Sequence, residues 1–217
     1  MKELNTNHNL IICQKSKIDD WVEHMKTYYP NYNVINYRKS TEIPNNSVVV
    51  INYDLIWRRP ELAELKDFTL MLDESSMIKN STAKRTKFIL KKLKPKNVIL
   101  LSGTPTGGKY EELWTQCRLL GWRINKGTYW DHYIKTVTHD IGGFPLKIVV
   151  GYKNVDRLKR KLRDHGAVFM KTNEVFDLPE QIHNTVKVEN TPEYRKFRKD
   201  RIIKIQNKEL VGDTTLT

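Results

Sequence analysis

The chain has 217 residues, 39% of them hydrophobic and 29% charged, with a formal net charge of +13. That length suffices for one substantial core, or one core with an appended subdomain, and the composition is that of a soluble globular protein. No apolar run reaches the length of a membrane span, the N-terminal MKELNTNHNLIIC is too short in apolar residues for a signal peptide, and the two cysteines, Cys13 and Cys117, form no CxxC or Cys/His cluster, which argues against structural zinc and a disulfide framework and fits a reducing, cytoplasmic setting. The excess of Lys and Arg suits a polyanionic partner such as nucleic acid, although a solvated basic surface would give the same charge.

In chain order, four short continuous apolar runs read as strands buried on both faces of a parallel sheet: Asn9 to Cys13, Ser47 to Asn52, Phe68 to Leu72 and Asn97 to Leu101. Asn33 to Asn36 reads as a further strand. Between the first two runs, Ile18, Trp21, Val22 and Met25 are spaced for one helix face, with Ser16 to Asp19 resembling a capping box. Ser81 to Leu93 reads as a Lys-rich helix. Tyr110, Leu113, Trp114 and Cys117 repeat the helical spacing, and Gly121 is placed to end that helix. Strand and helix in alternation predict an α/β fold around a mostly parallel sheet. Residues 122 to 150 are aromatic and Gly-containing without a clean period. Asn154 to Gly166 reads as a short basic helix, Ala167 to Lys171 and Gln181 to Val188 as strands, and Thr191-Pro192-Glu193 as a helix start.

Two stretches carry chemistry. In LMLDESSMIKN, Asp73 and Glu74 stand where a buried strand emerges, which is where ligands bind in open α/β sheets. One carboxylate there suits Mg²⁺ and its neighbour suits an attacking water, because adjacent residues at a strand end point in different directions. A turn with two solvated acids has the same spelling. In NVILLSGTPTGGKYEELW, Gly103 to Lys109 spells a phosphate loop between a strand and a helix, but Tyr110 stands where a Ser or Thr hydroxyl should reach Mg²⁺, and the loop follows the Asp-Glu strand instead of preceding it. A Gly-rich turn feeding a helix is the alternative. The lysines at 84, 87 and 91 and the cations at 157, 159, 160, 161 and 163 read as solvated faces or as extra phosphate contacts.

Taken together the motifs resemble the Swi/Snf type of superfamily-two helicases. DESSMIKN is similar to motif II, and SGTP followed by ELW resembles motif III. NLIICQKSKIDDW resembles motif Ia, and SVVVINYDLI resembles motif Ib. GYKNVDRLKRKL and AVFMKTNEVFDLPEQ resemble the close of the first motor domain. Phage-encoded members look closest, because Ser-Ser variants of motif II occur among them. The resemblance implies a RecA-like α/β fold: a helicase core over 1–120, a small helical insertion over 121–166, and closing strands leading toward a second motor domain over 167–217. It implies Mg²⁺ on Asp73 as part of MgATP, the hydrolytic water on Glu74, and coupling of nucleotide state to DNA grip through Ser102, Gly103 and Thr104. Lys15, Ser16, Asn52 and Tyr53 are expected to face the backbone of double-stranded DNA.

Departures qualify the resemblance. Ser75 and Ser76 replace the usual Ala and His, and Gly107-Gly108-Lys109 replaces the usual Gln-Asn. The family's phosphate loop lies upstream of motif Ia, and its arginine fingers lie on the second motor domain. Without them this chain is expected to be inactive alone, to carry an unpaired sheet edge, and to need motor segments on another chain. Two alternatives are an ATPase-deficient DNA-binding module and a nucleotide-binding enzyme using the GTPTGGK loop.

Overall fold

The computed structural model describes residues 2–142, 144–170, 184–187, 189–200, 202–205 and 208–211. Two compact units result, residues 1–168 and 169–217.

In the first unit, five strands form a wholly parallel sheet: β1 (His8–Cys13), β2 (Asn33–Asn36), β3 (Ser47–Asn52), β4 (Phe68–Leu72) and β5 (Asn97–Leu100). Their order is β2-β3-β1-β4-β5, so β1 is central and β2 and β5 are the edges among the described residues. Alternate residues face opposite sides of a strand. Leu10 and Ile12 therefore join Val49, Ile51, Leu70 and Leu72 in one apolar cluster, while Ile11 and Cys13 join Val48, Val50 and Met71 in another. Helices cover both faces. α1 (Ile18–Tyr28) supplies Ile18 and Met25 to the second cluster. α2 (Tyr53–Ile56) and α3 (Lys84–Lys91) supply Tyr53, Ile56 and Ile89 to the first. Burial of both faces is why these strands read as unbroken apolar runs.

The capping box expected at Ser16 does not form. Ser16 sits inside a 3₁₀ turn, Lys15–Lys17, and α1 starts after it without a side-chain cap.

Beyond β5, a 3₁₀ turn (Tyr110–Leu113), α4 (Trp114–Leu119), α5 (Lys126–Tyr133) and α6 (Val155–Asp164) build a third cluster around Leu113, Cys117, Tyr129, Tyr133, Leu158 and Leu162. Asn125 caps α5 by accepting from Thr128 N at 2.8 Å. Gly121 (φ 84°) and Gly166 (φ 86°) follow α4 and α6 in the left-handed conformation that glycine favours.

The segment expected to be a helical insertion is helical only toward its ends. Between α5 and α6 runs an antiparallel hairpin, β6 (Ile134–Ile141) and β7 (Phe144–Tyr152). The β-branched run of Ile134, Thr136, Val137 and Thr138, with Gly142 at φ 61° in the turn, favours strands over helix. A register shift between Lys135 and Thr136 breaks the alternation that would have marked it.

The second unit contains α7 (Pro192–Asp200) and an antiparallel pair, β8 (Ile202–Ile205) and β9 (Lys208–Val211). Thr191 caps α7, its Oγ1 accepting from Tyr194 N at 3.2 Å. The strands expected over 167–171 and 181–188 lie largely outside the described residues, and 167–170 and 184–187 carry no strand.

Both cysteines are free and buried. Burial pushes each thiol up to about 12, and at Cys13 the charges of Asp73 and Asp20 push in the same direction. Neither forms thiolate at neutral pH, so both are inert in the native protein. A colorimetric thiol reagent at pH 8 should label no cysteine before unfolding and two after it; labelling of the native chain would contradict this packing.

Candidate functional site

The C-terminal ends of β1, β3, β4 and β5 converge on the turn that carries Asp73 and Glu74. The turn leaves β4 with its backbone still tied to both neighbours: Asp73 N donates to Ile12 O at 2.9 Å, and Ser75 N donates to Leu101 O at 2.8 Å. Glu74 takes φ 56° and ψ 60°, a left-handed conformation costly for a side-chain-bearing residue. That kink separates the two carboxylates into different surroundings.

Asp73 faces α1. The Trp21 indole N–H donates to its Oδ2 at 2.8 Å, while Oδ1 accepts no hydrogen bond among the described residues. Glu74 faces the loop after β5. Its Oε1 accepts from Ser76 Oγ at 2.6 Å and from Ser102 Oγ at 2.7 Å. Both carboxylates are half-buried. Ser102 thus meets Glu74 directly, while Gly103 and Thr104 lie exposed beyond it, with Thr104 N donating back to Ser102 Oγ at 3.2 Å.

The expected DNA-facing residues divide into two pairs. Lys15 and Ser16 are exposed on the 3₁₀ turn after β1. Asn52 and Tyr53, by contrast, are 6% and 1% exposed, which corrects the expectation that they face a DNA backbone. Tyr53 turns inward, its hydroxyl donating to Asp73 O at 2.9 Å. Burial, then the nearby Asp73 charge, pushes its phenol well above the usual range. Its role is to brace the carboxylate turn.

Two braces were missed in the sequence. One is Trp21, which had been read as helix packing alone. The other is Gln116, whose Oε1 accepts from Ser75 Oγ at 2.9 Å and whose Nε2 donates to Pro105 O at 2.8 Å. Ser75 and Gln116 are both buried, so this amide ties the carboxylate turn to the SGTP loop from below. A polar residue within the apolar face of Leu113 and Cys117 was the available signal. Ser75→Ala leaves the Gln116 oxygen buried and unpaired, at a cost of about 1–3 kcal/mol. Its thermal midpoint should fall, and Gln116→Leu on the Ser75→Ala background should restore part of the loss; equal midpoints would remove the bond from the account.

The donor set suits Mg²⁺. That ion is held by one or two carboxylates plus water and phosphate oxygens, not by an all-protein cage. Asp73 offers an open Oδ1, and no group of three or more His, Cys, Asp or Glu ligands exists among the described residues. In the Gly103–Lys109 loop, two backbone N–H groups turn inward. Gly108 N donates to Thr106 Oγ1 at 3.0 Å and Lys109 N to Thr106 O at 2.9 Å, so the loop's donors close its own turn.

A parallel sheet with flanking helices, an Asp-Glu turn at its carboxyl edge and a Ser-Gly-Thr loop closing on the Glu define a RecA-like motor domain of the superfamily-two helicase class. The chain belongs to the SNF2-related domain family, which it matches over residues 1–214. It is 32% identical over 123 residues to the Caenorhabditis elegans homologue of SWI/SNF-related matrix-associated actin-dependent regulator of chromatin subfamily A-like protein 1, covering 53% of this chain and 18% of that protein. It is 24% identical over 221 residues to the TATA-binding protein-associated factor mot1 of Schizosaccharomyces pombe, covering 95% of this chain and 11% of that protein. Among solved structures it resembles the Sulfolobus solfataricus SWI2/SNF2 ATPase core in complex with dsDNA, with a TM-score of 0.52 and 25% identity over 61% of this chain and 29% of that one. The chain therefore spans under a fifth of these two relatives' length.

Proposed function

We propose that this chain is part of an ATP-driven motor that moves on duplex DNA. Asp73 would hold the Mg²⁺ of MgATP, its Oδ1 being open while Trp21 fixes Oδ2. When bound, the metal would supply positive charge to offset that developing on the transferred phosphoryl group. Glu74 orients the attacking water, and Ser102 and Ser76 hold its carboxylate in place. Ser102, Gly103 and Thr104 carry nucleotide state outward along the loop, while Lys15 and Ser16 grip the DNA backbone.

The observation that carries this reading is the convergence of the Ser76 and Ser102 hydroxyls on one Glu74 oxygen. It aims the acid and couples it to the loop after β5 at once. The GTPTGGK loop turns the Gly108 and Lys109 N–H groups onto Thr106, so on this reading the donors for the β- and γ-phosphates are not in that loop. On this reading the chain alone binds MgATP weakly and does not turn it over.

Steady-state ATP hydrolysis by the purified chain, with and without duplex DNA, tests this. No turnover alone, and DNA-stimulated turnover once the remaining motor segments are added, is the expected result. DNA-stimulated turnover by the chain alone would overturn the incomplete-motor reading. The charge of +13 favours one second reading, a DNA-binding module without ATPase function. That reading gains if DNA affinity is strong and indifferent to nucleotide. Loss of ATP binding on Lys109→Ala would instead favour the GTPTGGK loop.

A further inference from the structure

We propose that Arg38 is a DNA-backbone contact, extending the grip of Lys15 and Ser16 across three strand ends. The inference rests on the motor reading above and adds a residue that no motif marks.

Arg38 follows β2, the edge strand beside β3. Its turn is rigid. Asn36 Oδ1 accepts from Arg38 N at 3.1 Å, and Asn36 O accepts from Lys39 N at 2.9 Å and Ser40 N at 3.2 Å. Asn36 Nδ2 donates to Asp19 Oδ1 at 3.2 Å, which fastens the turn to α1. Tyr37 is 1% exposed and anchors it from below. The backbone of Arg38 is thus fixed, while its guanidinium is exposed and bonded to nothing among the described residues.

The side chain lines an open cleft of about 650 Å³ together with Gln14, Lys15, Ser16, Tyr53 and Asp54. The one acid there is already matched, since Arg85 meets Asp54 at 3.1 Å. Two cations, a hydroxyl and the Gln14 amide are left facing the cleft, a donor set for phosphate oxygens. Neighbouring strands lie about 4.8 Å apart, which puts the ends of β2 and β1 roughly 10 Å apart. The two cations are therefore spaced to meet separate phosphates of one strand. A planar, always-charged guanidinium on a rigid turn suits such a contact better than a mobile lysine.

The test is binding of a short labelled duplex by fluorescence anisotropy over a salt series, for the wild-type chain, Arg38→Gln and Arg38→Lys. Lys92→Gln, on an exposed residue after α3, serves as a charge-matched control. Losing one phosphate contact should lower the slope of log affinity against log salt by about 0.9, and affinity in 0.1 M salt by roughly eight-fold. Arg38→Lys should keep the slope, and Lys92→Gln should keep both slope and affinity. A wild-type slope in Arg38→Gln, or an equal loss in Lys92→Gln, would overturn the assignment while leaving the motor reading standing. Absence of salt-dependent duplex binding by the wild-type chain would overturn both. If Arg38→Gln abolishes binding of tripolyphosphate and leaves duplex binding untouched, the cleft is a nucleotide subsite and the proposal fails.

Discussion

Replacing Glu74 with Gln should lower DNA-stimulated ATP turnover by about 10²- to 10⁴-fold, the range for loss of a positioned general base. The measurement belongs in whatever assembly of motor segments supports turnover. The substitution is nearly isosteric, and a Gln amide oxygen can still accept from Ser76 and Ser102, which now meet Oε1 at 2.6 and 2.7 Å. The loop geometry should survive and only the charge and basicity disappear. ATP affinity and the unfolding midpoint should therefore stay close to wild type while turnover collapses. Undiminished turnover would remove Glu74 from the mechanism; a collapse in ATP binding as well would assign it to the metal instead of the water. Ser102→Ala should act in the same direction more weakly, because Ser76 still holds the carboxylate.

Leu70→Ala should cost about 2–5 kcal/mol, the range for a buried leucine whose cavity cannot collapse. Leu70 is 0% exposed on β4, in register with Leu10 on one side and Val98 on the other. Strands clamp its backbone on both sides, so the walls cannot move in to fill the space. Domains of this size are stable by only about 5–15 kcal/mol, so the change takes a large share of the total. Urea unfolding should show a lower midpoint at unchanged slope. The nearby carboxylate turn gives a second readout, since Asp73 N hangs on Ile12 O across the same strand pair. A midpoint like that of wild type would mean that the sheet is less rigid than its packing indicates.

The sheet was legible because its strands are buried on both faces and announce themselves as apolar runs. Only hydrophobic composition is needed to see β1, β3, β4 and β5, and their observed bounds sit within a residue of the runs. The Asp73–Glu74 pair and Ser102 were legible for another reason: they occupy strand ends, where chain order alone places them together. Trp21 on Asp73 and Gln116 on Ser75 join residues 52 and 41 positions apart, and no local pattern carries that pairing. Asn52 and Tyr53 were misread because a polar group at a strand end can point to solvent or back at a neighbouring turn, and residue type does not decide between them. The β6–β7 hairpin was missed because its register shift blurs the period of two.

The order β2-β3-β1-β4-β5 has a consequence for the chain as it is being made. Among the described strands of this sheet, the one made first is the one that ends in the middle. β1 cannot gain its first neighbour until residue 52 is out, or its second until residue 72. At roughly 5–20 residues per second, the segment Leu10-Ile11-Ile12 waits some 2 to 8 s with both edges bare, and some 3 to 12 s before both are covered. Nascent chains stalled before β4 should be protease-sensitive and chaperone-bound, and those stalled well past β5 should not.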